Sequence, residues 1–271
     1  MRAVLTGEIF RKDLNICHEI ILGYRIVAAD VETCIAQVVS WMDDEAIRKV
    51  VFCANPHSLV GADNDHVFKQ ALQSADLLIP DGAGVVLASR VLGGGIHKRV
   101  TGTDIYSGLN RALNDRGGYG CFFVGSTEET LEKIRKNLKR DYPNIRFAGS
   151  YSPPFKREFS EEDGLRMVEA VNAASPDVLW VGMTAPKQEK WIYHNRERLN
   201  VKFIGAIGAV FDFYAGTVKR SHPFFRSIGL EWLPRLIREP RRLWRRNFVS
   251  SPRFICMIMA QRLGLRRSEK A

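Results

Sequence analysis

What most constrains this chain is a rhythm. Short apolar runs of strand length alternate with stretches patterned for helix, and each run is closed by a turn residue or a polar group. Residues 50–53 are followed by Asn55-Pro56 and a helical pattern over about 57–74. Residues 76–79 stop at Pro80, and a second helical pattern begins after Gly84. Residues 119–124 end in Gly125-Ser126, and Ser126 with Glu129 three positions on predicts a capping box for a helix to Arg140. A short strand is predicted at 145–148. Another at 178–182 precedes a helix starting near Lys187, and one at 201–205 precedes a turn opened by Gly208. Such units predict an α/β fold: a Rossmann-like, mostly parallel sheet flanked by helices on both faces. Ligands in these folds bind outside the carboxyl ends of the strands.

The chain has 271 residues, of which 45% are hydrophobic, enough for a catalytic-sized core. Its five cysteines are scattered, without a CxxC pair, which points to free thiols in a reducing compartment. The first residues carry both charges and no long apolar region, so no signal peptide is expected. No apolar run approaches the roughly 20 residues that a bilayer span needs. The most lipid-like stretch, 254–260, is a short patch.

The formal net charge of +10 is unevenly placed. Residues 1–219 hold 27 basic and 27 acidic side chains, whereas the rest holds 13 basic and three acidic ones. The chain is therefore expected to divide near Ser221-His222-Pro223 into a catalytic body, 1–220, and a basic appendage, 221–271. Such an excess seeks an anionic partner.

The chemistry-bearing residues stand just after predicted strands. Asn55, Asp81, the segment Gly125-Ser126-Thr127 and the segment "TAPKQE" (184–189) would meet at one edge of the sheet. Asp81 lies within "LLIPDGAGVVLASRVLGG" (77–94), where Gly82 and Gly84 allow close backbone approach. Position alone leaves two readings of Asp81: a general base in a cleft, or the cap of the next helix. "HKRVTGTD" (97–104) reads as a phosphate-facing loop or a solvated turn. "GSTEET" reads as an anion site or, more simply, as helix capping. Asp63-x-Asp65 has the form of a divalent-cation pair. It lies within a helical pattern that sends the two side chains to different faces, so it reads, with His66, as a solvated helical face.

In the appendage, Phe225, Ile228, Trp232, Leu236, Leu243 and Trp244 fall near helical spacing, interrupted by Pro234 and Pro240. Arg235, Arg238, Arg242 and Arg245 form a cationic stripe beside them. That pattern suits a membrane interface, with nucleic-acid binding and packing on the body as rivals.

Several segments, in order from about Arg25 to Arg253, resemble the WecG/TagA/CpsF glycosyltransferases, glycosyltransferase family 26. They are "ANPHSL", the Asp81 segment, "RVTGTD", "VGMTAPKQE", "GAVFDFYAGTVKRSH" and "GLEWLPRLIREPRRLWRR". The resemblance implies a bacterial hexosyltransferase of the cell envelope. Such an enzyme moves a sugar (N-acetylmannosamine, its uronic acid or glucose) from a UDP-sugar to a polyprenyl-diphosphate-linked acceptor. It inverts the anomeric centre and needs no metal or other cofactor. By the same resemblance Asp81 is the base, and Asn55, Arg99 and Gln188 lie near substrate. Cys53 stands where many members carry Thr, and a thiol is a poorer hydrogen-bonding group. Arg235, Arg242 and Arg245 would bind the carrier diphosphate on an appendage that targets the membrane and closes over the site. The expected place is then cytoplasmic, peripheral on the inner face of the plasma membrane. The expected partners are the two substrates and the anionic surface, with no nucleic acid, and a homo-oligomer is compatible. The intact Asp81, Arg99 and Gln188 speak against a non-catalytic relative.

Overall fold

The apolar runs become strands because both of their faces are covered. In the computed structural model, which describes residues 14, 16–43, 48–218 and 245–265 (for 245–247 the backbone alone), six of them form one parallel sheet. They are β3 (Lys49–Ala54), β4 (Leu77–Pro80), β5 (Gly120–Gly125), β6 (Arg146–Tyr151), β7 (Val178–Gly182) and β8 (Phe203–Ala206), in the order β4-β3-β8-β7-β5-β6. Every residue of β5, β7 and β8 is buried, as a parallel strand between two helical layers requires. Successive side chains alternate between two cores. Leu179 and Val181 face one, Val178 and Trp180 the other.

The first layer is built from α2 (Pro56–Ala62), α3 (His66–Gln73), α4 (Ala83–Leu92), α7 (Glu161–Ala174) and α8 (Lys187–Asn195). The second holds α1 (Val31–Asp43), α5 (Gly102–Arg116), α6 (Glu128–Asp141) and α9 (Val210–Ala215). A separate antiparallel hairpin, β1 (His18–Ile21) and β2 (Tyr24–Val27), packs beside β4. A C-terminal helix, α10 (Ser251–Arg262), buries Phe254, Met257 and Ile258 on the first layer, against α2 and α4.

Two local readings are corrected. The helical pattern over 57–74 is two helices, because Asp65 caps α3 by accepting from the Phe68 N–H at 3.1 Å and so restarts the helix. The pair Asp63-x-Asp65 thus occupies a junction, not a helical face. At the end of β5 the cap is Thr127, which accepts from the Thr130 N–H. Ser126 lies in the left-handed region (φ 58°) and cannot serve as a cap there. The lipid-like patch at 254–260 is the middle of α10. The expected boundary near residues 221–223 lies outside the described residues.

Gly82 and Gly84 have different tasks. Gly82 turns the chain from β4 into α4 at φ 110°, a conformation that suits glycine. Gly84 lets α4 close on α2: a Cβ there would stand 2.5 Å from Cγ of Pro56. A proline ring cannot swing aside. We predict that Gly84→Ala destabilises the fold by about 1–3 kcal/mol in urea denaturation, the usual cost of overpacking. An unchanged midpoint would show that the two helices are not in rigid contact.

Candidate active site

The strand order fixes where a cleft opens. After β3 the chain enters α2 on one face, and after the neighbouring β8 it enters α9 on the other. Connections that part in this way leave a crevice at the carboxyl ends, the usual ligand site of an open α/β sheet. Cys53, next to last in β3, stands at that parting. Its thiol lies 3.7 Å from the Ala206 carbonyl oxygen at the end of β8, and Gly102 packs against its sulfur.

Asp81 is held level with the same edge, because its N–H donates to the Ala54 carbonyl at 2.8 Å. It does not cap α4. The cap position belongs to Gly82, which has no side chain to bond the first turn. The cap reading of Asp81 is thereby removed. Asn55 does have a structural task. Its Oδ1 accepts from the N–H groups of His57 (3.1 Å) and Ser58 (3.0 Å), starting α2 at the cleft. The amide NH2 is then the end of Asn55 suited to a substrate. Arg99, half-buried, rides on a loop pinned by the Val100 N–H to the Pro80 carbonyl, 3.0 Å away. That loop ends where Thr101 and Asp104 close a capping box for α5, so "VTGTD" is helix capping first.

Gln188 and Glu189 come from the first turn of α8, another helix without a side-chain cap. Gln188 is 5% exposed and Glu189 2%. The Met183 N–H donates to Gln188 Oε1 at 3.3 Å, and Gln188 Nε2 donates to Glu189 Oε1 at 2.8 Å. Glu189 Oε2 is buried without a hydrogen-bond partner among the described residues. Burial pushes the Glu189 carboxyl up to about 7, against the lowering effect of the Gln188 amide. The Cys53 thiol is held far above its ordinary range, first by burial and then by the negative charges of Asp81, Glu189 and Asp104. Cys53, Asp81 and Glu189 are therefore electrostatic neighbours. Glu189 is the residue that motif reading passed over, although it completes "TAPKQE".

The acidic pair is partnered elsewhere. Asp63 meets Arg253 of α10 at 3.0 Å, and Asp65 meets Lys190 of α8 at 2.5 Å. Burial pushes the Asp65 carboxyl up, but the Lys190 ammonium and the Phe68 N–H outweigh it and hold it below its ordinary range. Neither aspartate is a purely solvated residue. Among the described residues no group of three His, Cys, Asp or Glu side chains could hold a metal ion, and no helix is long and apolar enough to cross a membrane. Arg235 and Arg242 lie outside the described residues. Arg245 opens a π-helical turn, Arg245–Ser250, of which only the backbone is described at that position.

The Glu189 carboxyl makes a pH prediction. Its folded value of about 7 lies above the ordinary 4.5, so the folded protein holds this proton more tightly than the unfolded chain. The contribution is complete below about 4.5 and lost as pH rises through about 7. Between pH 5 and 8, stability should move in favour of Glu189→Gln over wild type by about 2–3 kcal/mol in urea titrations. A pH-independent difference would mean that this carboxyl is not desolvated.

A sequence model described as "Glycosyl transferase WecG/TagA/CpsF family" matches residues 19–268. Among curated proteins, the chain is 31% identical over 209 residues to the N-acetylglucosaminyldiphosphoundecaprenol N-acetyl-beta-D-mannosaminyltransferase of Bacillus spizizenii, covering 77% of this chain and 78% of that protein. The protein of the same name from Bacillus subtilis is 30% identical over 219 residues, covering 80% and 82%. That from Staphylococcus aureus is 25% identical over 219 residues, covering 81% and 83%. With a match that takes in the crevice, the Asp81 turn and the first turn of α8, the chain belongs to the WecG/TagA/CpsF family of glycosyltransferases.

Proposed function

We propose that this enzyme transfers a hexosyl group, with N-acetylmannosamine the first candidate, from a UDP-sugar to a sugar on a polyprenyl diphosphate, with inversion and without a metal. The observation that carries the reading is the position of Asp81: a carboxylate at a strand end, held level with the end of β3 beside the switch-point crevice, one residue before the cap position of α4. The names of the relatives support the sugar and the lipid-linked acceptor. The uncapped first turns of α4 and α8 support an anionic leaving group, since their N–H groups and the positive helix ends favour negative charge.

In this reading the Asp81 carboxylate takes the proton of the acceptor hydroxyl as its oxygen attacks C1 of the donor sugar. The C1–oxygen bond to the diphosphate breaks on the opposite side, and UDP departs with the electron pair. Arg99, Asn55 and Gln188 bind and orient the substrates around that line of attack. Cys53 stays a neutral thiol, and its link to Ala206 makes it part of the crevice floor.

The appendage 221–271 would bring this site to the membrane surface, with Arg235, Arg242 and Arg245 on the carrier diphosphate, a role for which the forked guanidinium is suited. Support comes from α10. One face is buried on the body, while Ile255 and Met259, with Leu263 and Leu265 beyond the helix and Leu87 on α4, are exposed. An apolar surface of this kind beside a basic segment fits an interface with anionic lipid.

A panel of UDP-sugars with a polyprenyl-diphosphate-linked acceptor, read by UDP release, tests the donor. Asp81→Asn should leave the fold and UDP binding nearly intact and lower kcat by about 10²–10⁴-fold. Turnover near that of wild type would remove Asp81 from the role. Replacing Arg235, Arg242 and Arg245 together with alanine should weaken co-sedimentation with anionic vesicles by about 10²-fold, at about 1 kcal/mol per charge near the surface. Activity on the lipid-linked acceptor should fall with it. If vesicle binding and activity both persist, the appendage acts some other way.

A further inference from the structure

Glu189 is costly where it stands. Burying a carboxyl with one oxygen unpartnered costs about 1–3 kcal/mol, and an apolar side chain of similar volume would avoid that. Its other oxygen accepts from the amide of Gln188. The Gln188 carboxamide could in principle sit in either of two orientations. The Met183 N–H can only donate, so the amide end it meets must be oxygen. That orientation turns Nε2 toward Glu189 Oε1, which accepts from it at 2.8 Å. The Met183 N–H selects the orientation, the carboxylate form of Glu189 reinforces it, and Gln188 and Glu189 are both buried. Gly208, following β8, closes the other side, where a Cβ would lie 3.8 Å from either end of the amide. One N–H of Gln188 Nε2 is used by Glu189, which leaves the second for the cleft-side substrate contact that the proposed transfer reaction assigns to Gln188.

We propose that Glu189 is a positioning residue for the transfer reaction: through Oε1 it fixes the Gln188 carboxamide in the single orientation that presents an amide N–H to substrate. The inference rests on the glycosyltransfer reading given above for this site. Glu189 need not touch substrate, and its burial keeps water from competing for the Gln188 amide. Either protonation state of the carboxyl leaves an oxygen able to accept from Nε2, so the arrangement holds across the range in which the carboxyl titrates.

The test is a double-mutant cycle on the full chain, with UDP release in the presence of lipid-linked acceptor as readout and thermal melting as a check on folding. Glu189→Met keeps the volume and removes the acceptor; it should lower kcat/KM by about 10–100-fold, the scale on which outer-shell partners act. Glu189→Gln retains a carbonyl acceptor and should stay within about threefold of wild type. In a Gln188→Ala background, Glu189→Met should cost less than about threefold more, because residues that act as a unit are not additive. Should the Met variant melt early, Glu189→Leu takes its place in the cycle. Additive losses, a Gln variant as impaired as the Met one, or a Met variant as active as wild type would each overturn the inference while leaving the transferase reading intact. No wild-type turnover with any UDP-sugar would remove that reading and this inference together.

Discussion

The site exists because two neighbouring parallel strands send their helices to opposite faces of the sheet. Among the described residues the connections after β3 and β8 leave the carboxyl edge toward opposite faces, the arrangement that opens a crevice in such sheets. What sequence then decides is how tightly the rim is drawn. Pro56 at the start of α2 and Gly84 in the first turn of α4 meet without room for a methyl group, locking the β3 and β4 ends together. Asp81 sits on one side of that joint and Asn55 on the other. The rim is thus a packed contact between helix starts, and the spacing of its polar groups is inherited from the sheet.

The electrostatics of the crevice follow from the same packing. Asp81, Asp104 and Glu189 all act on one thiol, which on formal charge would make a poor site for a nucleoside diphosphate. The charges are not equivalent. Asp104 is engaged with the Thr101 hydroxyl and N–H at 2.7 and 2.9 Å. Glu189 is desolvated enough to be about half neutral near pH 7. Asp81 stands one residue before Gly82, the cap position of α4, at the carboxyl end of β4. Burial of Glu189 therefore reduces the negative charge at this end of the sheet.

Much of this was legible in the sequence, for a physical reason. Parallel strands buried on both faces read as uninterrupted apolar runs, so their ends, and the polar residues just past them, stand out. What escaped was held by non-local contacts. The junction after α2 is marked in sequence only by the polar run Asp63-Asn64-Asp65-His66, which also suits the exposed turn of one continuous helix; the Asp65 cap that restarts α3 is a feature of the fold. The hairpin turn places Leu22 at φ 55° and Gly23 at φ 86°, a tight-turn geometry for which leucine gives no signal. It is held from far along the chain, by Gln261 of α10, which accepts from the Leu22 N–H at 2.8 Å and donates to the Ile20 carbonyl at 2.9 Å. Glu189 was masked by its neighbour. Adjacent residues on a helix point about 100° apart, so a glutamate after a buried glutamine reads as solvated, whereas both are buried in the fold.

Those long-range contacts change how the basic C-terminal segment must be viewed. Alpha-helix α10 is fixed at three places: Gln261 on the hairpin, Arg253 on Asp63 and Asn64, and Ser250 against the His57 ring at 2.9 Å. The acidic pair that resembles a cation site serves as a bracket, with Asp63 holding α10 and Asp65 holding α8. The body is anchored on one side of the arginine-bearing stretch by α9 and on the other by α10. The docking of α10 is the physical link between a neutral α/β body and its cationic end, and it sets a helix with exposed Ile255 and Met259 against α4.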